Sequence, residues 1–125
     1  MKRTRPRDRR RRVLGRVSRA WQCRHAQAGR RPAIIVQGAA ASAALPTVLV
    51  VPLTSQQDAL RFPGTVFVEA DAANGLRRAS VALVFQFAAV DNRFVAEQLG
   101  RVSETVLRAL FDALDELTER SPAVP

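Results

Sequence analysis

One cysteine, one histidine and no tyrosine occur among the 125 residues of this chain. Cys23 has no second thiol with which to form an internal disulfide, and Cys23 and His25 alone make no cluster of zinc-ligand spacing. The expected setting is therefore the cytoplasm, with no metal and no other cofactor. Apolar runs stay short of the roughly 18 residues that suggest a membrane span, and the basic N-terminus is not followed by the apolar core of a secretory signal. Neither membrane nor export is expected. G-x-S-x-G, the P-loop, H-E-x-x-H and paired carboxylates near a histidine are all missing, which leaves most enzyme classes without support.

Charge is abundant but unevenly placed. Residues 1–31 carry thirteen Lys or Arg and one acid, whereas residues 32–125 carry seven basic and ten acidic side chains. The formal +9 thus comes from the front quarter of the chain. A dense arginine segment attracts polyanions by releasing their counterions, so RNA or DNA is the first partner to consider. Blocks of like charge are more often solvated and disordered than specifically engaged. Residues 1–16 are accordingly expected to be a basic disordered tail, 17–119 a single domain and 120–125 a flexible C-terminal tail.

Within the domain, period-two alternation marks RAWQCRH over residues 19–25 as a half-buried strand. The β-branched runs AIIV (33–36) and TVLVV (47–51) read as central strands, and GAAASAALP between them as a loop. Pro52 is expected to cost a ladder bond and bend the chain, leaving residues 53–56 (LTSQ) at a strand end. TVFVE (65–69) and SVALVFQFAA (80–89) each read as one strand, with an Asn74-Gly75 turn between them. Residues 96–102 form a further short strand. Ser103 is then a good N-cap for a helix in which Val106, Leu107, Leu110, Phe111, Leu114 and Leu117 share one face. Several antiparallel strands closed by one helix argue for an α+β fold, a small and partly closed β-barrel.

His25 and Cys23 are read as an ordinary hairpin residue and a packing residue. Two other places share a geometry. Arg31 precedes one buried strand and Thr54-Ser55 ends the next, so antiparallel pairing would bring a guanidinium and two hydroxyls to one rim. Arginine presents a planar fork of donors to a phosphate, and hydroxyls can bind the remaining oxygens. Such a set could bind a phosphodiester and stabilise charge developing on it. By spacing alone, an Arg-Pro before a strand is also a common accident.

The succession GRRPAIIVQ, PTVLVVPLTSQ, FPGTVFVE, GLRRASVALVFQ and LGRVSETVLRALFDAL, in that order, resembles the MazF/PemK toxins of bacterial type II toxin–antitoxin systems. The resemblance spans residues 29–117. It implies an SH3-like antiparallel barrel of the CcdB/PemK kind with a C-terminal helix, working as a homodimer. It further implies a sequence-specific, metal-independent endoribonuclease acting on single-stranded mRNA and blocked by a cognate antitoxin. Carried over by position, Arg31, Thr54 and Ser55 are the catalytic residues, while Arg30, Gln56 and Gln86 are the RNA-binding ones. The chain departs from the family pattern in three ways. Only AQAG fills the interval that usually holds a long first loop. Leu83 and Phe85 occupy acid–base positions, and Ala88 stands where an arginine is usual. A non-catalytic or degenerate member of the same fold, binding antitoxin or RNA or poisoning gyrase, is therefore the alternative. A nucleic-acid-binding module working through residues 1–31 is a third reading.

Overall fold

The β-branched run that reads as a central strand is the axis of the fold. In a computed structural model describing residues 19–25 and 29–120, β3 (Thr47–Thr54) has neighbours on both edges and buried side chains on both faces. Val51 and Leu53 join the main core, whereas Val48 and Val50 join a smaller cluster with Ala33. A strand buried on both sides needs continuous rather than alternating hydrophobicity, which TVLVV supplies.

On one edge β3 pairs with β2 (Gly29–Ile35), which pairs with β1 (Arg19–His25), which pairs with β7 (Val95–Arg101). On its other edge β3 pairs first with β6 (Ala88–Asp91) and then with β5 (Ser80–Leu83), and β5 pairs with β4 (Thr65–Val68). All pairings are antiparallel. The path runs β4-β5-β3-β2-β1-β7, and its two ends are not joined by a ladder, so the barrel stays open. One backbone bond draws the ends together, from Arg101 N–H to the Ala73 carbonyl at 2.8 Å.

Three local expectations are corrected. SVALVFQFAA is not one strand: a 3₁₀ turn at Val84–Gln86 divides β5 from β6. Pro52 costs no ladder bond, and its strand runs on to end at Thr54, as the sequence indicates. The two corrections have one cause. The Leu49 carbonyl accepts from Val36 on the β2 side, so by alternation the Pro52 nitrogen faces the other edge, where the 3₁₀ turn interrupts the ladder and asks for no donor. Third, GAAASAALP contains a short helix, α1 (Ala39–Ala44). Alanine is the best helix former, and the buried Gln37 anchors the segment by donating to Ser42 Oγ at 3.2 Å and to the Thr47 carbonyl at 3.0 Å.

The closing helix, α2 (Glu104–Leu117), begins as the sequence indicates, with Ser103 Oγ accepting from the Val106 N–H at 3.1 Å. Leu107, Leu110 and Ala113 enter the main core beside Ile34, Val51 and Leu53. Ser103→Ala is expected to cost about 1 kcal/mol of stability by removing that cap. Urea unfolding would register it as a lower midpoint at constant slope.

At the β6–β7 corner, Asp91 accepts from the Arg93 N–H at 2.8 Å. That backbone bond, helped by the Arg93 guanidinium, holds the Asp91 carboxyl below the usual carboxylate range against a small opposing effect of burial. The basic tail expected over 1–16, residues 26–28 of the connection expected over 26–29, and residues 121–125 of the expected C-terminal tail lie outside the described residues.

Candidate RNA-binding cavity

The site grows out of the β2–β3 register. Ala33 pairs with Pro52 and Ile34 with Val51, and the same register carried two residues further sets Arg31 opposite Thr54. Arg31, Thr54, Ser55 and Gln56 do line one open cavity of about 750 Å³. Its floor includes Pro32 and the buried Leu53. Ile34 and Val51, fully enclosed one step further along the same two strands, fix the backbone from which Arg31 and Thr54 project.

Thr54 Oγ1 accepts from the Gln56 N–H at 3.1 Å. That bond turns the chain out of β3 and sets the hydroxyl oxygen in place, while its hydrogen can still be donated to a ligand. Arg31 is exposed at the mouth of the cavity.

The rest of the lining comes from the segment between β4 and β5, from the start of β5 and from β7. Gly75, Leu76, Arg77, Arg78 and Ser80 supply one part, and Glu97 and Leu99 the other. Asn74 organises the turn in the first of these. It is buried, its side-chain oxygen accepts from the N–H groups of Asp71 (3.1 Å) and Leu76 (2.9 Å), and its amide donates to the Glu69 carbonyl at 2.8 Å. Gly75 has φ +69° and its Cα lies against the Leu99 backbone, where any Cβ would strike the Leu99 carbonyl oxygen. The reason for Asn-Gly here is thus twofold, a left-handed turn and a close approach to β7.

Three of the lining side chains are arginines and one is a glutamate, so the cavity carries net positive charge and suits a polyanion. Two donors on paired strand ends, with two further guanidiniums lining the same cavity, can engage consecutive phosphates of one nucleic-acid strand. Among the described residues no group of three or more His, Cys, Asp or Glu could hold a metal ion.

The residues expected at the site separate. Arg31, Thr54, Ser55 and Gln56 come together in the cavity. Gln86 does not join them and stands exposed on the 3₁₀ turn between β5 and β6. Arg30 lies in β2 with its Cα paired to Arg24, and its side chain is outside the described residues. Leu83 is half-buried at the end of β5, Phe85 packs edge-on against Phe62 with centroids 5.9 Å apart, and Ala88 pairs with Val50. Arg77, Arg78 and Glu97 were not among the expected residues. The dibasic pair just after an Asn-Gly turn was a readable signal for the first two, but Glu97 reaches the site only through the pairing of β7 with β1.

The sequence model of the family described as "PemK-like, MazF-like toxin of type II toxin-antitoxin system" matches residues 20–118. The chain belongs to this family. Solved structures agree on the fold of this PemK/MazF family member. The Mycobacterium tuberculosis toxin MazF-mt6 superposes with TM-score 0.71 at 20% identity, covering 83% of this chain and 99% of the other. An endoribonuclease in complex with its cognate antitoxin from a mycobacterial species gives TM-score 0.71 at 17% identity, over 85% and 96% of the two chains. A MazE–MazF structure from Deinococcus radiodurans gives 0.69 at 26% identity, over 84% and 95%. No sequence among curated proteins matches the chain. Among the described residues, no helix is long and apolar enough to cross a membrane.

Proposed function

We propose that the protein is the toxin of a type II toxin–antitoxin pair and a cytoplasmic endoribonuclease that cuts single-stranded mRNA at short sequences. The observation that carries this reading is the convergence of Arg31 and Thr54 on one cationic cavity within a MazF-like fold. In the reaction the ribose 2′-OH attacks the adjacent phosphorus, the bond to O5′ breaks, and the products are a 2′,3′-cyclic phosphate and a 5′-OH end. The nucleophile belongs to the substrate, and no metal is invoked. Arg31 stabilises the dianionic phosphorane through its fork of donors. Thr54 donates its hydroxyl to a non-bridging oxygen, Ser55 supports the same phosphate, and Gln56 faces the neighbouring base.

By analogy with the antitoxin-bound mycobacterial and Deinococcus structures, the partner that silences it is a cognate antitoxin. It functions as a homodimer whose groove takes the RNA. The deciding experiment is mapping of cut sites on a long RNA in the presence of EDTA, with Arg31→Ala as control. Discrete cuts ending in cyclic phosphate are expected, and intact RNA at micromolar protein would refute the assignment.

Arg77 and Arg78 hold phosphates flanking the scissile one. Replacing both with alanine is expected to raise KM several-fold with little change in kcat. The log–log salt dependence of RNA binding should become shallower by about 0.7 for each phosphate no longer neutralised. The loss of polar side chains at Leu83, Phe85 and Ala88 favours one rival, a non-catalytic member of the fold. Stalled supercoiling by gyrase, with RNA left intact, would be its signature.

A further inference from the structure

The cavity is lined from both ends of a sheet that does not close. Ser80 belongs to β5 and Leu99 to β7, which lie toward opposite ends of the path β4-β5-β3-β2-β1-β7. Among the described residues no ladder joins those ends, so another contact has to hold the two parts of the lining together. We infer that the turn over residues 71–76 is the brace that does so. Asn74 and Gly100 are then positioning residues for RNA, acting through Arg77 and Arg78, a role that rests on the reading of the cavity as an RNA site.

Three successive residues of the turn meet three successive residues of β7. The Ala73 carbonyl accepts from the Arg101 N–H at 2.8 Å. A Cβ on Gly75 would strike the Leu99 carbonyl oxygen, and a Cβ on Gly100 would strike the carbonyls of Ala73 and Asn74. Backbone thus lies directly on backbone at both glycines, with no flexible side chain there to give way. Gly75 and Leu99 themselves line the cavity, so this contact is part of its wall.

Asn74 fixes the shape of the turn for that approach. It is buried yet takes no part in lining the cavity. Besides the bonds its side chain makes to Asp71, Leu76 and Glu69, its own N–H donates to the Asp71 carboxylate at 2.7 Å. A buried polar group is tolerated only with such partners, and an amide both accepts from two N–H groups and donates to a carbonyl. The Leu76 N–H that it holds belongs to the residue directly before Arg77, and Leu76 packs against the main core. Beyond the arginines, Ser80 Oγ donates to the Arg78 carbonyl at 3.0 Å and the Gln57 amide to the Ala79 carbonyl at 3.3 Å. Arg77 and Arg78 therefore stand on a short span, fixed at one end by the start of β5 and at the other by the brace.

Arg31 and Thr54 are placed by the β2–β3 register instead, so loosening the brace should weaken RNA binding and spare the chemical step. Gly100→Ala is the sharper probe. Gly100 lies within β7 without a positive φ, so alanine suits its backbone, and the nearest atoms the new methyl would meet belong to the turn. The substitution is expected to raise KM for RNA several-fold with kcat within about twofold of the parent. The log–log salt dependence of binding should become shallower, as when the arginines themselves are removed. In the Arg77→Ala/Arg78→Ala background it should add less than about twofold to KM, because residues acting through one another are not additive. Asn74→Asp, nearly isosteric but without the donor to Glu69, should behave alike and serves if Gly100→Ala does not fold. Ser103→Ala weakens the fold at the helix cap, outside the cavity, and should leave KM unchanged, which separates positioning from simple loss of stability. Unaltered KM in both brace variants, a fall in kcat at constant KM, or a full KM penalty in the double-arginine background overturns the inference, while cleavage by the parent keeps the RNA reading. A parent protein that neither binds nor cuts RNA overturns both.

Discussion

Arg31→Ala should slow RNA cleavage about 10³-fold while leaving the melting temperature within a few degrees of the parent. The large kinetic effect follows from where charge develops. In the proposed reaction the phosphorane gathers negative charge on its oxygens as the 2′-oxygen adds, and losing one preorganised donor to such charge typically costs 10²- to 10³-fold. A full positive charge on a phosphoryl group in transit contributes still more in other phosphoryl-transfer sites. The loss corresponds to about 4 kcal/mol of transition-state stabilisation. The small effect on stability follows from the same residue's exposure, because surface substitutions away from the core cost about 0.5 kcal/mol or less. Arg31→Lys separates charge from geometry: the ammonium keeps the sign but not the planar pair of donors, so it should regain only part of the rate. Single-turnover cleavage of a defined oligonucleotide beside a thermal melt tests both halves. A variant that cuts at the parental rate would remove Arg31 from the mechanism.

The second large effect is on the fold. Leu107 is wholly enclosed on α2, packed in the same cluster as Ile34, Val51 and Leu53. Leu107→Ala removes buried methyl groups and leaves a cavity, at a cost of about 2–5 kcal/mol. For a domain of this size each kcal/mol lowers Tm by about 4–8 °C, so a drop of ~10 °C or more is expected. Because the Leu107 side chain supports the strands that carry Arg31 and Thr54, cleavage should fall at temperatures where the variant is still folded. Leu117→Ala, at the exposed end of the same helix, should shift Tm far less. Calorimetry on the two variants makes the comparison, and equal shifts would show that the helix is not docked through Leu107.

What the sequence made legible tracks the range over which each feature is determined. TVLVV and AIIV are readable because burial on both faces calls for a nearly continuous apolar run rich in β-branched side chains. Ser103 is readable because a cap is settled within one helical turn. Arg31 and Thr54 could be joined because a single pairing of neighbouring strands relates them. The short helix at Ala39–Ala44 was harder to see, since small residues suit both loop and helix, and tethering by the buried Gln37 decides between them. The division of SVALVFQFAA was invisible because the segment is apolar throughout, and only its two separate registers on β3 reveal the break. Glu97 was out of reach for the strongest reason. The pairing that brings it to the cavity joins residue 22 to residue 97, and no local pattern announces a partner so far along the chain.

That same distant pairing bears on when the proposed activity could first appear during synthesis of the chain. A polypeptide leaves the ribosome from its N-terminus, and pairings between remote segments form late because a long loop must first be closed. The β2 and β3 halves of the cavity can assemble early, but the β1–β7 ladder waits until residue 101 has emerged, and α2 must still fold behind it. A nascent chain, or one cut short before β7, therefore displays Arg31 and Thr54 on an open sheet without the part of the cavity that β7 supplies. Under the proposed function, translation itself would act as a delay before the complete cavity exists.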